Sequence, residues 1–286
     1  MALQINTNIG ALMASAAASG VNKSMETSME RLSTGKRINT AADDAAGVAI
    51  ASRMTSEIRG TNQAIRNAAD AQAMIDTAEG AHDEVVNILQ RMRELSVQAA
   101  NDTNLAADRT AIQDELTALT AEIDRIGAVT TWANTQLLDE TGGTTGKFKF
   151  HIGAGDTAAS DQIEVTIKKI SSTALGADAV KVDAATIKVG TAAQSLASIT
   201  ALDTAIASVN KQRSQLGAVS NRLDHTINNL TNISVNLEAG RSRIEDADFA
   251  AESTNMAKSQ ILQQASTAML AQANASKQGV LSLLQR

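Results

Sequence analysis

Proline is absent from all 286 residues of this chain, so no residue forces a helix to end. A chain of average composition would contain roughly 14 prolines, at about 5% of residues. Apolar residues also recur at steps of three, four and seven along most of the sequence. Because that spacing follows one face of a helix, the sequence predicts unusually long helices.

Three internal stretches carry this spacing. A helix is predicted from about residue 43 to 101, with a length of roughly 87 Å, and the short polar residues 101–104 predict a turn after it. A second helix follows, with apolar residues in alternating steps of four and three from Ile112 to Ile126. A third is predicted near residues 194–240. Such sustained seams favour helices packed along one another at shallow angles.

Between the second and third helices the apolar period changes to two. Apolar and polar residues alternate over residues 147–152 and again over 163–167, which predicts a β-hairpin at about residues 147–170. Residues 171–193 are rich in Ala, Thr and Gly and are expected to be irregular with some strand. Within this segment, apolar residues alternate weakly with polar ones at Val180, Val182, Ile187 and Val189. The predicted fold class is mainly α: an elongated antiparallel bundle of long helices, coiled-coil-like, with one β-hairpin.

Composition and charge exclude several classes of protein. Without cysteine the chain forms neither disulfides nor thiolate metal sites. Its net charge of −6 has the wrong sign for a general nucleic-acid binder. No segment holds about 18 consecutive apolar residues, so no membrane-spanning helix is expected. Residues 1–22 carry no charge, and without a positive n-region they are not expected to be a cleaved signal peptide.

Large apolar side chains are scarce. Leu, Ile, Val and Phe make up about a fifth of the chain, close to the level of roughly 20% below which chains tend to stay disordered. Long, Ala-rich helices also have much surface for little core. We therefore expect a subunit whose ends are stabilised by copies of itself. A head-to-tail contact of that kind need not close, and it then builds a helical filament.

Several sequence blocks resemble bacterial flagellin. The segment Arg31-Leu-Ser-Thr-Gly-Lys-Arg-Ile-Asn39, followed by Ala42-Asp-Asp-Ala-Ala-Gly47, is similar to the family's signature at the entry to its long helix. Further blocks similar to the family lie in its long helix, its second helix and its hairpin, at residues 89–98 with Asn101, 122–126 and 150–153. Blocks similar to the C-terminal signature lie at residues 243–249, 261–265, 270–274 and 281–284. The resemblance covers roughly residues 1–170 and 195–286, in the family's order.

The resemblance implies a structural subunit of the bacterial flagellar filament rather than an enzyme. Residues 1–42 with 241–286 would form a terminal helical inner core that lines the filament's channel. Residues 43–170 with 194–240 would form a helical wall that includes the hairpin. Residues 171–193 would be a short variable surface segment that replaces outer domains, so no large outer domain is expected.

The resemblance also implies partners and a location. The chain would form a homopolymer and meet the filament cap and the hook-associated junction proteins. A flagellin export chaperone would keep its termini unfolded, and the flagellar type III apparatus would export it without a cleaved signal peptide. The termini would fold on assembly, in an extracellular filament. No nucleic acid, membrane or cofactor is implied as a partner.

One local departure from the family concerns the turn into the hairpin. Where relatives commonly carry Phe-Asn-Gly, this chain has Trp132-Ala-Asn134. A glycine that takes positive φ without strain is therefore missing.

Two candidate surfaces follow from the resemblance. A vertebrate innate immune receptor would recognise an Arg and a Leu on the long helix and a Glu on the second helix, which correspond to Arg91, Leu95 and Glu115. The alternative is that these three residues only pack against neighbouring subunits or form a solvated helix face. The inner-core assembly face would comprise Leu3, Ile5, Ile9, Leu12, Leu262, Ala265, Met269, Ala273 and Leu284. These residues would form the core of the subunit, a seam between subunits, or both at once.

No catalytic, metal or cofactor site is predicted. His82, His151 and His225 fall in three separate elements without a His-Glu-x-x-His run, so each is expected to have a structural role. Two alternatives to a flagellin remain open. A hook–filament junction protein shares the terminal helices but usually differs through the wall, and a soluble coiled-coil scaffold would need only the heptads.

Overall fold

Five helices dominate the computed structural model, which describes residues 7–157, 161–174, 182–183 and 185–284. Their bounds are α1 Ile9–Thr34, α2 Ala45–Ala99, α3 Ala106–Val129, α4 Ala192–Glu245 and α5 Phe249–Leu284. The three internal helices predicted from the apolar spacing are confirmed as α2, α3 and α4. Helix α2 has 55 residues, which corresponds to a length of about 82 Å. None of the helices in the described ranges is both long and apolar enough to cross a membrane.

Short polar side chains set the helix ends. The Asn8 side chain accepts a hydrogen bond from the backbone N–H of Ala11 at the start of α1 (3.1 Å). Gly35 ends α1 with a φ of 72°. Between α2 and α3 the Asn104 side chain donates to the carbonyl of Gln98 (2.6 Å), which confirms the turn predicted at 101–104.

The chain divides into two compact units. Residues 1–58 with 235–286 form the terminal unit, and residues 59–234 form the central unit. Helices α2 and α4 each contribute residues to both units. The functional domain boundaries implied by the resemblance, after residues 42, 170, 193 and 240, stay a prediction.

The central unit contains a continuous apolar core. Its buried side chains run from Ala68 to Leu223 and come from α2, α3, α4 and the segments between α3 and α4. The heptad of α3 supplies Ile112, Leu116 and Ile123 to this core. Thus the seam spacing identified from sequence marks the buried face.

A β-hairpin covers part of this core. Strand β3 (Lys147–His151) pairs antiparallel with β4 (Gln162–Thr166), with Phe148 opposite Val165. Phe148 and Phe150 pack against the core and the lysines of β3 face outward, so the alternation predicts the correct face. The predicted hairpin is confirmed.

A second, two-residue pair of strands precedes the hairpin. Strand β1 (Thr131–Trp132) pairs with β2 (Thr135–Gln136) around a loop of Ala133 and Asn134. The φ angles of these two residues are 47° and 66°, the positive values that a type I′ turn requires. Asn tolerates this conformation, whereas Ala adopts it at a cost of about 1–2 kcal/mol. The turn is therefore formed without the glycine of the relatives, with the strain on Ala133.

The segment after the hairpin also packs onto the central unit where the structure describes it. Ile187 and Val189 are buried, and the Gln113 side chain of α3 donates to the carbonyl of Ile187 and accepts from the N–H of Val189 (both 3.0 Å). Residues 182–183 and 185–190 contain turns and irregular backbone, so the strand predicted there is wrong within these residues. Val180 lies outside the described residues.

Candidate assembly and recognition surfaces

Helices α1 and α5 pair antiparallel within the terminal unit. At one end the Asn8 side chain donates to the carbonyl of Ala273 (3.2 Å). Farther along, the Gln263 amide donates to the side chain of Asn22 (2.9 Å). The residue numbers of contacting pairs rise on one helix as they fall on the other, so the two helices run side by side over most of α1.

The turn between α4 and α5 meets the end of α1. The Arg37 guanidinium donates to the carbonyl of Ile244 (2.7 Å), and the N–H of Ala247 donates to the carbonyl of Gly35 (2.9 Å). Lys36 and Glu245 form an ion pair beside these bonds. The C-terminal end of α1 is thereby joined to the turn that precedes α5.

The terminal unit buries few large apolar side chains. Among its described residues the buried hydrophobic ones are Ile38, Ala51 and Ile58. By contrast, Leu12 is 62% exposed and Met269 is 66% exposed. The other large hydrophobic residues exposed in this unit are Ile9, Met13, Met29, Ile50, Val235, Phe249, Ile261 and Leu262. Exposed apolar surface on this scale marks an interaction surface.

The predicted inner-core face lies largely on this exposed surface. Ile9, Leu12, Leu262, Ala265 and Met269 are exposed, and Ala273 is half-buried against α1. Leu3 and Ile5 lie outside the described residues, as does the side chain of Leu284.

An open apolar groove of about 550 Å³ follows the α1–α5 pair between Gly10 and Leu262. Its lining consists mostly of small side chains, together with Met13, Leu262, Met269 and Gln272. We name the residues that line this groove on α1 and α5, together with Ile9 and Leu12, the terminal apolar face. The lining residues are Gly10, Met13, Ala14, Ala17, Leu262, Ala265, Ser266, Met269, Gln272, Ala273 and Ser276.

A buried polar cluster lies farther along the same helix pair, and sequence reasoning missed it. The Ser28 hydroxyl donates to Oε1 of Glu252 (2.7 Å), and both residues are less than a tenth exposed. Arg31 places a guanidinium nitrogen 3.9 Å from Oε2 of Glu252. The sequence does carry a signal, since Glu252 is the sole acidic residue of α5.

The predicted recognition residues lie in the central unit. Arg91 of α2 donates from Nε and one Nη to Oε1 of Glu115 on α3, at 3.2 and 3.0 Å. The same guanidinium reaches Glu94 at 3.3 Å. The hydrogen bonds that Arg91 donates to Glu115 and, with a smaller effect, to Glu94 raise the pKa of Arg91. The three side chains are about half exposed or more, so they form a polar surface that links two helices.

Leu95 does not share this exposure. It is 2% exposed and belongs to the buried core, one turn along α2 from Arg91. The structure thus brings Arg91 and Glu115 together at the surface and places Leu95 beneath it.

The histidines lie apart from one another. His82 is fully buried between the carbonyl of Ala78 and the Gln212 side chain, at 2.5 and 3.0 Å. His151 and His225 are exposed in β3 and α4. Within the described residues no group of acidic and histidine side chains is arranged to hold a metal ion.

Comparison with known proteins identifies what this arrangement resembles. The bacterial flagellin N-terminal helical region matches residues 5–142, and the bacterial flagellin C-terminal helical region matches residues 199–284. A flagellin of Halalkalibacterium halodurans is 46% identical over 93% of this chain and 94% of its own length. The flagellar filament 33 kDa core protein of Treponema phagedenis is 41% identical over 98% of this chain and 99% of its own length.

A solved structure of Bacillus cereus flagellin is similar to part of the chain. It shares 33% identity, with a TM-score of 0.48, over 62% of this chain and 94% of the other.

Proposed function

Because this chain belongs to the bacterial flagellin family, we propose that its terminal apolar face is the surface through which copies assemble into the flagellar filament. The chain is a structural subunit of that filament. The observation that carries the assembly proposal is the exposure of Leu12 and Met269 in a unit with few buried apolar residues.

The surface area of the chain supports this proposal. The chain exposes 16,794 Å² to solvent, whereas a compact monomer of its mass would expose about 11,600 Å². Burying apolar surface yields about 25 cal/mol per Å². Contact with other copies would bury part of the exposed area that exceeds the compact-monomer value. It would also supply the apolar core that the terminal unit lacks.

Folding of the terminal unit is coupled to this assembly. Ordering a residue costs roughly 1–2 kcal/mol of backbone entropy, which buried apolar surface must offset. The central unit has such a core within one chain, and the terminal unit has little of one. The central unit therefore folds first, and α1 and α5 become stable when neighbouring subunits cover them.

Export and further partners fit the same sequence of events. A chain with unfolded termini suits passage through the flagellar type III apparatus and binding by an export chaperone. Assembly beneath the filament cap and beyond the hook-associated junction proteins would place it outside the cell. Residues 1–42 with 241–286 would line the channel, residues 43–170 with 194–240 would form the wall, and residues 171–193 would be the short surface segment that replaces outer domains.

Electron microscopy of the concentrated, purified protein tests the assembly proposal. The chain should form long tubes after seeding with filament fragments. A soluble coiled-coil scaffold would form only closed oligomers, and that result would refute the proposal.

The polar surface of Arg91 and Glu115 is proposed as a contact for a vertebrate innate immune receptor on the free subunit. Its two side chains are already held together across α2 and α3, so they would meet a partner without further ordering. Leu95 supports α2 from beneath this surface. It would act by positioning Arg91 rather than by touching the receptor.

We expect Arg91→Ala and Leu95→Ala to weaken receptor activation by the free subunit by about tenfold or more, as loss of an interface anchor does. Leu95→Ala also leaves a cavity that costs about 2–5 kcal/mol. A reporter-cell assay with purified subunit measures the activation.

Leu223→Ala is the matched control for the cavity, because Leu223 is a fully buried leucine of α4 in the same core. It should lower the free energy of unfolding by a similar amount while activation by the folded protein is retained. Equal activation by wild type and Arg91→Ala would remove the receptor proposal and leave the structural alternative.

A further inference from the structure

We propose that Glu252, together with the bonds between the α4–α5 turn and the end of α1, fixes the register in which α5 packs on α1, so that each subunit presents a single version of the terminal apolar face. This inference rests on the proposal that the face is used for assembly. It concerns a buried carboxylate that the apolar contacts of the terminal unit do not explain.

Packing between the two helices distinguishes poorly between registers. The residues of α1 that line the space between the helices recur in steps of three and four from Gly10 to Arg31, and those of α5 do so from Glu252 to Ser276. Most are Ala, Gly, Ser or Thr. A slip by one heptad therefore replaces small residues by small residues and keeps the seam intact.

The polar cluster at Glu252 is not repeated along the seam. Oε1 of Glu252 accepts from the Ser28 hydroxyl at 2.7 Å, and Oε2 accepts from the Asn255 amide at 3.5 Å. The Arg31 guanidinium lies 3.9 Å from Oε2. Glu252 is 8% exposed and Ser28 is 4% exposed, so both side chains lie largely out of solvent.

A one-heptad slip removes the partners on α1. In one direction Glu252 would face Val21 and Ser24, and the Ser24 hydroxyl already donates to the carbonyl of Gly20 (3.0 Å). In the other direction Glu252 would lie opposite Gly35, where α1 has ended. A buried carboxylate that loses its partners is unfavourable, so the observed register is preferred over the slipped ones.

The absence of cysteine makes disulfide cross-linking a direct reporter of register. A Cβ at Gly10 would lie 3.8 Å from the Cβ of Ala273, which is about the mean Cβ separation of a disulfide. The pair Gly10→Cys with Ala273→Cys therefore reports the observed register. Gly10→Cys with Ser266→Cys reports a slip of one heptad, which is about 10.5 Å along the helix and too far to bridge otherwise.

Each double-cysteine variant is mixed as a small fraction with the wild-type protein. The mixture is assembled into filaments, which are then oxidised. Mass spectrometry of the peptides identifies links within one chain. With Glu252 and Ser28 both intact we expect only the 10–273 link. Glu252→Leu and Ser28→Ala should raise the 10–266 link by about tenfold or more, as loss of a buried polar pair does.

Three features separate register from general stability. Leu at position 252 retains apolar packing, so the helices still pair while their register is lost. Glu252→Gln keeps an oxygen that accepts from Ser28 and should restore the 10–273 link. Asn22→Ala removes an exposed interhelical hydrogen bond and should leave the register unchanged.

Wild-type levels of the 10–273 link in both Glu252→Leu and Ser28→Ala, with no 10–266 link, would overturn the proposal. So would a 10–266 link in the chain that keeps both Glu252 and Ser28. Failure of the wild-type chain to form filaments would instead refute the proposed function, on which this proposal rests.

Discussion

Deleting residues 255–286 should abolish filament formation and leave a soluble protein with a folded central unit. The deletion removes most of α5, including Leu262 and Met269 of the terminal apolar face. The core of the central unit ends at Leu223 and loses nothing. Electron microscopy of seeded protein measures the filaments, and circular dichroism measures the remaining helix.

A single substitution tests the same surface without shortening the chain. Met269→Asp should raise the protein concentration needed for assembly by about tenfold or more, because a charge would replace an apolar side chain worth about 1.5–3 kcal/mol when buried. Met269→Leu is the matched control, since it keeps the apolar contact and such exchanges are well tolerated. Normal filaments from the truncated chain or from Met269→Asp would show that the terminal apolar face does not drive assembly.

Gly127→Ala should destabilise the central unit by roughly 3 kcal/mol, since overpacking of this kind against fixed backbone is among the more costly substitutions. A Cβ at Gly127 would lie 2.1 Å from the carbonyl oxygen of Ile170. Ile170 cannot easily move away, because its N–H donates to the carbonyl of Leu138 at 2.8 Å and its side chain is buried. Urea unfolding followed by the fluorescence of Trp132 measures the loss, since this sole tryptophan packs against the core.

Gly80→Ala provides the matched control on α2. A Cβ at Gly80 would have no neighbour within 4 Å, so the substitution should stabilise the helix by about 0.5–1 kcal/mol. Two glycines in helices would thus respond with opposite signs. Equal effects of the two substitutions would contradict the close approach of α3 to the segment at Ile170.

Periodicity predicted most of the fold because the chain's apolar residues are few and regularly placed. The steps of four and three from Ile112 to Ile126 identify α3 and its buried face. The alternation around Phe148 and Phe150 identifies the hairpin and its inner face. In both cases the apolar residues repeat with the period of the helix or strand that they form, so the local sequence predicts the element and its buried face.

Features that depend on contacts between distant segments could not be predicted in this way. The position of Leu95 beneath the ion pair of Arg91 and Glu115 follows from the packing of α3 on α2, which the apolar spacing along α2 does not specify. Glu252 finds Ser28 across 224 positions of sequence. The positive φ of Ala133 is held by the pairing of β1 with β2, against the preference of the residue itself.

Hydrogen exchange of the free subunit and of the assembled filament tests the coupling of terminal folding to assembly most directly. We expect the amides of α1 and α5 to exchange rapidly in the strictly monomeric protein and slowly in the filament, while those of the central core stay protected in both. If the amides of α1 and α5 were as strongly protected from exchange in the monomer as those of the central unit, the coupling of terminal folding to assembly would be contradicted.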